Sequence, residues 1–287
     1  MNKPTDQLIK ITECPRDAMQ GIHNFIPTEI KAEYINLLLQ VGFDTIDFGS
    51  FVSPKAIPQM QDTAEVLKKL DLSTTRSKLL SIIANYRGAE DASQYDEITY
   101  LGYPFSISET FQQRNTNSSM FDSFNTVERL QELCERKNKK LLIYLSMAFG
   151  NPYGDEWNKY VLMNWVDNMQ AAGINDIAVA DTIGIATPEQ IRDVCDMLSG
   201  FNSPIRLHLH STPNTSIEKI SAAYESGCRY FDTALKGYGG CPMAKDELTG
   251  NIATENLISY LQSKNESSGL NLDKFGEAMA FADQVFK

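Results

Sequence analysis

The chain has 287 residues, 42% of them hydrophobic and 22% charged, with a formal net charge of −11, the make-up of a folded globular protein. That acidic balance, with a pI near 4.8, argues against nucleic acid or an anionic membrane as the main partner, because both demand a basic footprint. No apolar run approaches the ~20 residues of a membrane span, the opening "MNKPTDQLIKITECP" lacks a signal-peptide core, and five scattered cysteines fit a reducing compartment, so a cytoplasmic location is expected.

In chain order the pattern is strand, then helix, repeated. The first strand is read over 8–14, "LIKITEC". A helix follows from Pro27 and Thr28, with Ile30, Tyr34, Leu37 and Leu38 on one stripe and Gly42 as its stop. Strands come next at 44–50 and 77–84, and the link around "RGAEDAS" leaves room for only a weak helix. Further strands are read at 97–106, 139–150 and 176–184. "TPEQIRDVCDMLSG" then opens with Thr187 as N-cap and Pro188 at the first helical position, and ends at Gly200. The seventh strand spans 205–210, a helix runs to Gly227, and the eighth strand spans 229–235. Several strands are near-continuous aliphatic runs, the sign of burial on both faces of a parallel sheet. Eight strands alternating with helices, without a linker, predict an α/β fold. It is read as a single (β/α)8 TIM barrel with a C-terminal helical extension, one catalytic domain over 1–287.

Barrels of this kind carry their active sites at the carboxyl ends of the strands. Arg16 and Asp17 lie just past the first strand, Asp47 on the second, Asp181 on the sixth, and His208 and His210 on the seventh. After the eighth comes the glycine-rich "KGYGGCPMAKDELTGN", with Cys241 and Asn251. Residues i and i+2 of a strand share a face, so "HLH" presents two imidazoles side by side. An aspartate from strand one and an amide oxygen after strand eight can join them, since strands one, seven and eight are neighbours in a closed barrel. Two nitrogens plus oxygens suit Mg²⁺, Mn²⁺ or Zn²⁺. Each residue also has a plainer reading. His208 and His210 read as a hydrogen-bonded core pair, Arg16–Asp17 as a structural ion pair, Asp47 and Asp181 as helix caps, Cys241 as an inert thiol, and His23 as a turn residue.

With these residues assembled, the chain resembles the 3-hydroxy-3-methylglutaryl-CoA lyase family, metal-dependent barrels related to isopropylmalate and homocitrate synthases. "ECPRDAMQ" resembles the first-strand signature PRDGLQ, "SFVSPKAIPQM" (50–60) a lyase-typical segment, and "DTIGIATP" (181–188) the sixth-strand turn. "GYGGCPMAKDELTGN" (237–251) resembles the loop that supplies the lyases' cysteine. The resemblance implies cleavage of 3-hydroxy-3-methylglutaryl-CoA to acetoacetate and acetyl-CoA, an acyl-CoA partner and a homodimer. It implies a divalent metal, Mg²⁺ or Mn²⁺, held by Asp17, His208, His210 and Asn251. It gives enolate stabilisation to Arg16, proton transfer to Cys241 and a supporting role to Asp181, with Asp47 beside Arg16. Lys55, Arg114 and Lys236 are candidates for the CoA phosphates. Four departures stand out: Ala18–Met19 for Gly-Leu, Asp47 for a glutamate, no acidic residue after "HLH", and a loop to Asn251 one residue longer. They leave the acyl group open to a related branched 3-hydroxyacyl-CoA. A condensing synthase joining acetyl-CoA to a 2-oxo acid, a metal-dependent hydrolase and a non-catalytic acyl-CoA binder are the alternatives.

Overall fold

Alternation along each strand decides which side chains enter the barrel and which meet the helices. The computed structural model describes residues 8–201, 203, 205–240 and 249–286. Its parallel strands are β1 (Lys10–Glu13), β2 (Thr45–Phe51), β3 (Lys78–Ile83), β4 (Ile98–Ser106), β5 (Lys140–Ser146), β6 (Asp176–Asp181), β7 (Arg206–Ser211) and β8 (Tyr230–Thr233). They pair in the order β6-β5-β4-β3-β2-β1-β8-β7, and β6 pairs with β7 to close the circle. A two-residue β9 (Gly250–Asn251) adds antiparallel to β7. This is a TIM barrel with helices outside.

The helices are α1 (Pro15–Gln20), α2 (Thr28–Val41), α3 (Thr63–Leu67), α4 (Tyr86–Ala92), α5 (Glu109–Thr116), α6 (Met120–Arg136), α7 (Lys159–Ala171), α8 (Pro188–Leu198), α9 (Ser216–Glu225), α10 (Thr254–Ser263) and α11 (Leu272–Val285). Local chemistry sets their ends. At α8 the Gln190 amide donates to Thr187 Oγ1 at 3.2 Å and the Thr187 amide donates to Gln190 Oε1 at 3.0 Å, a capping box satisfying two donors at once. The short α4 in "RGAEDAS" holds because Asn85 Oδ1 accepts from the Gly88 amide at 2.9 Å. The C-terminal extension folds back on α2, where Tyr34 meets Phe281 and Phe286 with ring centroids 6.4 and 5.8 Å away. Helix α2 also buries Lys31, Ile35 and Leu39, outside the single stripe expected from sequence; Lys31 is drawn in by Asp62, to whose Oδ1 its Nζ donates at 2.7 Å.

Several strand ends differ from the sequence expectation. The fifth strand stops at Ser146, not at 150, because the chain turns with Met147 at φ 61° and Gly150 at φ 129°. The sixth stops at Asp181, not at 184, because its carboxylate gathers the amides of Ile185 and Ala186 at 2.9 and 3.1 Å and bends the backbone. The first strand is shorter at both ends, and at its carboxyl end α1 takes over from Pro15. Among the described residues no helix is long and apolar enough to cross a membrane.

The barrel interior has two unlike halves. On β3–β6 the inward residues form an apolar cluster of Leu80, Ile82, Tyr100, Leu142, Tyr144 and Ala178. On β1, β2, β7 and β8 buried polar groups stand instead: Thr12, Thr45, Asp47, Arg206, His208 and Asp232. The alternate positions Leu207, Leu209 and Phe231 join the core outside the barrel. Polarity is thus concentrated on one arc of the wall.

Candidate active site

A cavity of about 420 Å³ opens at the carboxyl ends of the strands. Its polar wall includes Arg16, Asp17, Gln20, His208 and His210, and its apolar wall includes Val52, Ile57, Ile82, Pro104, Phe111 and Tyr144. That mix suits a substrate with an anionic or oxygen-rich end and a carbon skeleton.

Arg16 and Asp17 reach the cavity because the sequence turns straight from β1 into α1, with Pro15 at its start. Arg16 Nε donates to both oxygens of Asp47, at 3.2 and 3.0 Å, and Nη2 donates to Oδ2 at 2.6 Å. Nη1 donates to Asp17 Oδ1 at 3.1 Å and to Gln20 Oε1 at 2.8 Å. A guanidinium has five N–H donors; Nε–H, one Nη2–H and both Nη1–H are taken, which among the described residues leaves one on Nη2. Burial opposes the charge, yet Asp47 and Asp17 outweigh it and hold Arg16 above its ordinary pKa. Asp47 itself is pushed up to about 6 by burial, against the pull of Arg16.

Asp17 ties α1 to the loop after β8. Asn251 Nδ2 donates to Asp17 Oδ2 at 2.7 Å and Gln20 Nε2 donates to Oδ1 at 2.8 Å. Burial works against the Asp17 carboxylate, but Arg16 and the two histidines win and hold it at about 2. Asn251 arrives there by strand register, because β9 places it opposite His210. Gly239 makes the approach possible. It sits at φ 89°, and a Cβ there would lie 2.7 Å from Asn251 Nδ2 and 2.9 Å from the Asp17 carbonyl oxygen.

The two histidines are oriented from behind. His210 Nδ1 lies 3.0 Å from the Thr182 carbonyl oxygen, which can only accept, so Nδ1 carries the proton and Nε2 a bare lone pair. Burial, then His208, lowers the His210 pKa to about 4. His208 Nδ1 lies 3.3 Å from Asp232 Oδ2; burial would lower its pKa, but Asp232 prevails and raises it. Ligand atoms of Asp17, His208 and His210 lie within 4.8 Å of one another. His210 Nε2 and Asn251 Oδ1 are buried with no hydrogen-bond partner among the described residues. Leaving such atoms unpaired is costly, and a cation satisfies both. Two imidazoles, a carboxylate and an amide oxygen therefore fit a divalent metal.

Other expected residues stand elsewhere. Asp181 is buried behind the wall, where Lys219 Nζ donates to its Oδ2 at 2.7 Å; Ala180 and Thr182 line the cavity instead. Asp181 closes the turn after β6 and is not the cap of α8, which is Thr187. Lys55 is exposed beside the lining residue Ala56. Arg114 is exposed and lies 4.7 Å from the centre of the Tyr153 ring, while its neighbours Asn115 and Thr116 line the wall. Lys236 turns away and pairs with Asp283 of α11. Cys241 lies outside the described residues. The sequence reading missed Asp232, Arg206, Tyr144 and Thr182. The signal for the first two was present as polar residues alternating with apolar ones in "RLHLH" and "YFDT".

Comparison with known proteins supplies an independent line. A family model described as HMGL-like matches residues 8–281. The chain is 31% identical over 282 residues to a Macaca fascicularis protein named mitochondrial hydroxymethylglutaryl-CoA lyase, covering 96% of this chain and 85% of that one. It superimposes on the HMG-CoA lyase of Bacillus subtilis with a TM-score of 0.92 at 30% identity, covering 99% and 95% of the two chains. An HMG-CoA lyase from Acinetobacter baumannii, solved in complex with coenzyme A and 3-methylmalate, gives a TM-score of 0.90 at 31% identity, covering 100% and 93%.

Proposed function

From the premise that the chain belongs to the HMGL-like family, we propose that it is a carbon–carbon lyase. Its substrate is 3-hydroxy-3-methylglutaryl-CoA, cleaved to acetoacetate and acetyl-CoA. The observation that carries this reading is the meeting, at one cavity mouth, of a free Arg16 N–H with the Asp17–His208–His210–Asn251 donor set. Those four residues would hold the divalent cation, Mg²⁺ or Mn²⁺. When bound, it supplies Lewis-acid chemistry, making a chelated tertiary hydroxyl more acidic.

The remaining work falls to the protein. The hydroxyl proton has an acceptor in the cavity wall, the Asp17 carboxylate. As the carbon–carbon bond breaks, its electron pair passes into the thioester, whose oxygen becomes an enolate. Arg16, locked by Asp47 before substrate arrives, offers its free N–H to that oxygen. A preorganised donor of this kind lowers the barrier by about 3 kcal/mol. The enolate carbon then takes a proton, the role proposed for Cys241 on its loop. The apolar wall shields the skeleton from water. Lys55, beside the cavity rim, is the candidate retained for a CoA phosphate. A cytoplasmic homodimer completes the proposal.

The test is an acetoacetate assay on metal-stripped protein titrated with Mg²⁺ or Mn²⁺. Metal-dependent acetoacetate release supports the reading. Thiol release with acetyl-CoA and a 2-oxo acid, without acetoacetate, would replace it with a condensing synthase, and thioester binding without turnover would replace it with a sensor.

A further inference from the structure

Below the cavity floor lies a second cluster that could take a cation. Ligand atoms of Cys14, His208 and Asp232 also lie within 4.8 Å of one another, all of them buried. His208 belongs to both groups, so the barrel contains two competing ways to use one imidazole. A thiol, an imidazole and a carboxylate suit a soft or borderline ion. The upper group, rich in oxygen, suits a hard one.

Arg206 stands at the point where the choice is made. It is the largest of the fully buried side chains. Nη1 donates to Thr12 Oγ1 at 3.0 Å, Nη2 donates to the Tyr230 hydroxyl at 2.7 Å, and the guanidinium lies 4.0 Å from the centre of the Tyr230 ring. Three contacts from β1 and β8 fix it. Its Nη1 is 3.8 Å from Asp232 Oδ1, the carboxylate oxygen that has no hydrogen bond among the described residues. Asp232 Oδ2 faces His208 Nδ1 at 3.3 Å.

We propose that Arg206, acting through Asp232, is the positioning residue that reserves His208 for the upper cation group and closes the lower one. Two physical effects do this. Asp232 takes the Nδ1–H of His208, which turns Nε2 toward Asp17 and His210. The fixed positive charge of Arg206, 3.8 Å from Asp232 Oδ1, repels a dication from the lower group, where no second carboxylate stands beside Asp232 in the cluster. An aspartate that would otherwise be a ligand becomes an orienting group. The inference rests on the metal site proposed above, and Asp232 and Arg206 are positioning residues, not catalytic ones.

Co²⁺ binding to the metal-stripped full chain tests it, read by calorimetry and by absorbance, since a thiolate ligand gives Co²⁺ a charge-transfer band. Wild type should bind without a Cys14-dependent band. Asp232→Asn should weaken binding 10–100-fold, the usual effect of removing a group that orients a ligand. Arg206→Met should gain a thiolate band that disappears in Arg206→Met/Cys14→Ser, and Arg206→Lys should resemble wild type. Thermal melts check that each variant folds. If Arg206→Met does not fold, Asp232→Asn decides alone, because a merely structural role would lower its melting temperature without changing Co²⁺ affinity. Wild-type affinity in folded Asp232→Asn, with affinity lost in His208→Ala, overturns the proposal and spares the metal site. Unchanged affinity in His208→Ala overturns the metal site itself. A folded Arg206→Met without the band removes Arg206 from the proposal.

Discussion

Among the described residues, Arg16 has one N–H left after Asp47, Asp17 and Gln20 have taken theirs. A side chain so thoroughly held cannot be there for solubility, and its single free donor is aimed by the others. Replacing it with glutamine keeps a polar side chain but removes the charge and the fork. Arg16→Gln should lower acetoacetate formation by roughly a hundredfold or more while metal stoichiometry, measured by elemental analysis, stays at the wild-type value. Loss of metal in that variant would show that Arg16 supports the ligands instead of the enolate. Arg16 and Asp17 were legible in the sequence because they stand just past the carboxyl end of the first strand, where such barrels carry their active sites. Asp232 was harder to read: the alternation in "YFDT" carried a signal, but a lone aspartate inside "RYFDTAL" reads equally well as a strand end.

At the scale of elements, α8 and β9 show how unequal the local signals are. The start of α8 is fully local: Thr187, Pro188 and Gln190 specify it within four residues. Thr187→Ala should cost about 1 kcal/mol of stability, seen as a lower urea midpoint with activity intact, since nothing in the cap touches the cavity. β9 is the opposite case. Two residues, Gly250 and Asn251, pair antiparallel with β7 although they lie far beyond it in the chain. Gly239 leaves room for Asn251 there. Gly239→Ala should therefore weaken metal binding and turnover while the melting temperature stays close to wild type; an unaltered metal affinity would mean the loop tolerates the added Cβ.

Across the whole molecule, the barrel closes through buried polar contacts as well as apolar ones. Glu13 on β1 accepts from the Leu235 amide at 2.7 Å and from the Thr254 hydroxyl at 2.6 Å, joining the first strand to the exit of the last and to α10. Burial pushes its carboxyl up to about 8 from 4.5, although these hydrogen bonds pull it down. The native state thus keeps a proton that the unfolded chain releases. Stability should fall as pH rises from about 4.5 toward 8, by up to ~1.4 kcal/mol per pH unit from this group. Glu13→Gln should flatten that part of the profile in melts recorded across the range. A mutant curve parallel to wild type would show that Glu13 is ionised in the native protein.

By itself the sequence determined the alternation of strands and helices, the helix stops and the pair of imidazoles two residues apart. Each of these depends on interactions within a few residues: period-2 or period-3.6 burial, a cap, a glycine at positive φ. Only the tertiary structure decided that Asp181 faces the helices, that Lys236 belongs to α11, that Asn251 stands opposite His210 and that Arg206 sits beneath them. Those outcomes depend on strand register and barrel closure, which bring together residues far apart in the chain, and no local pattern encodes the distance between them.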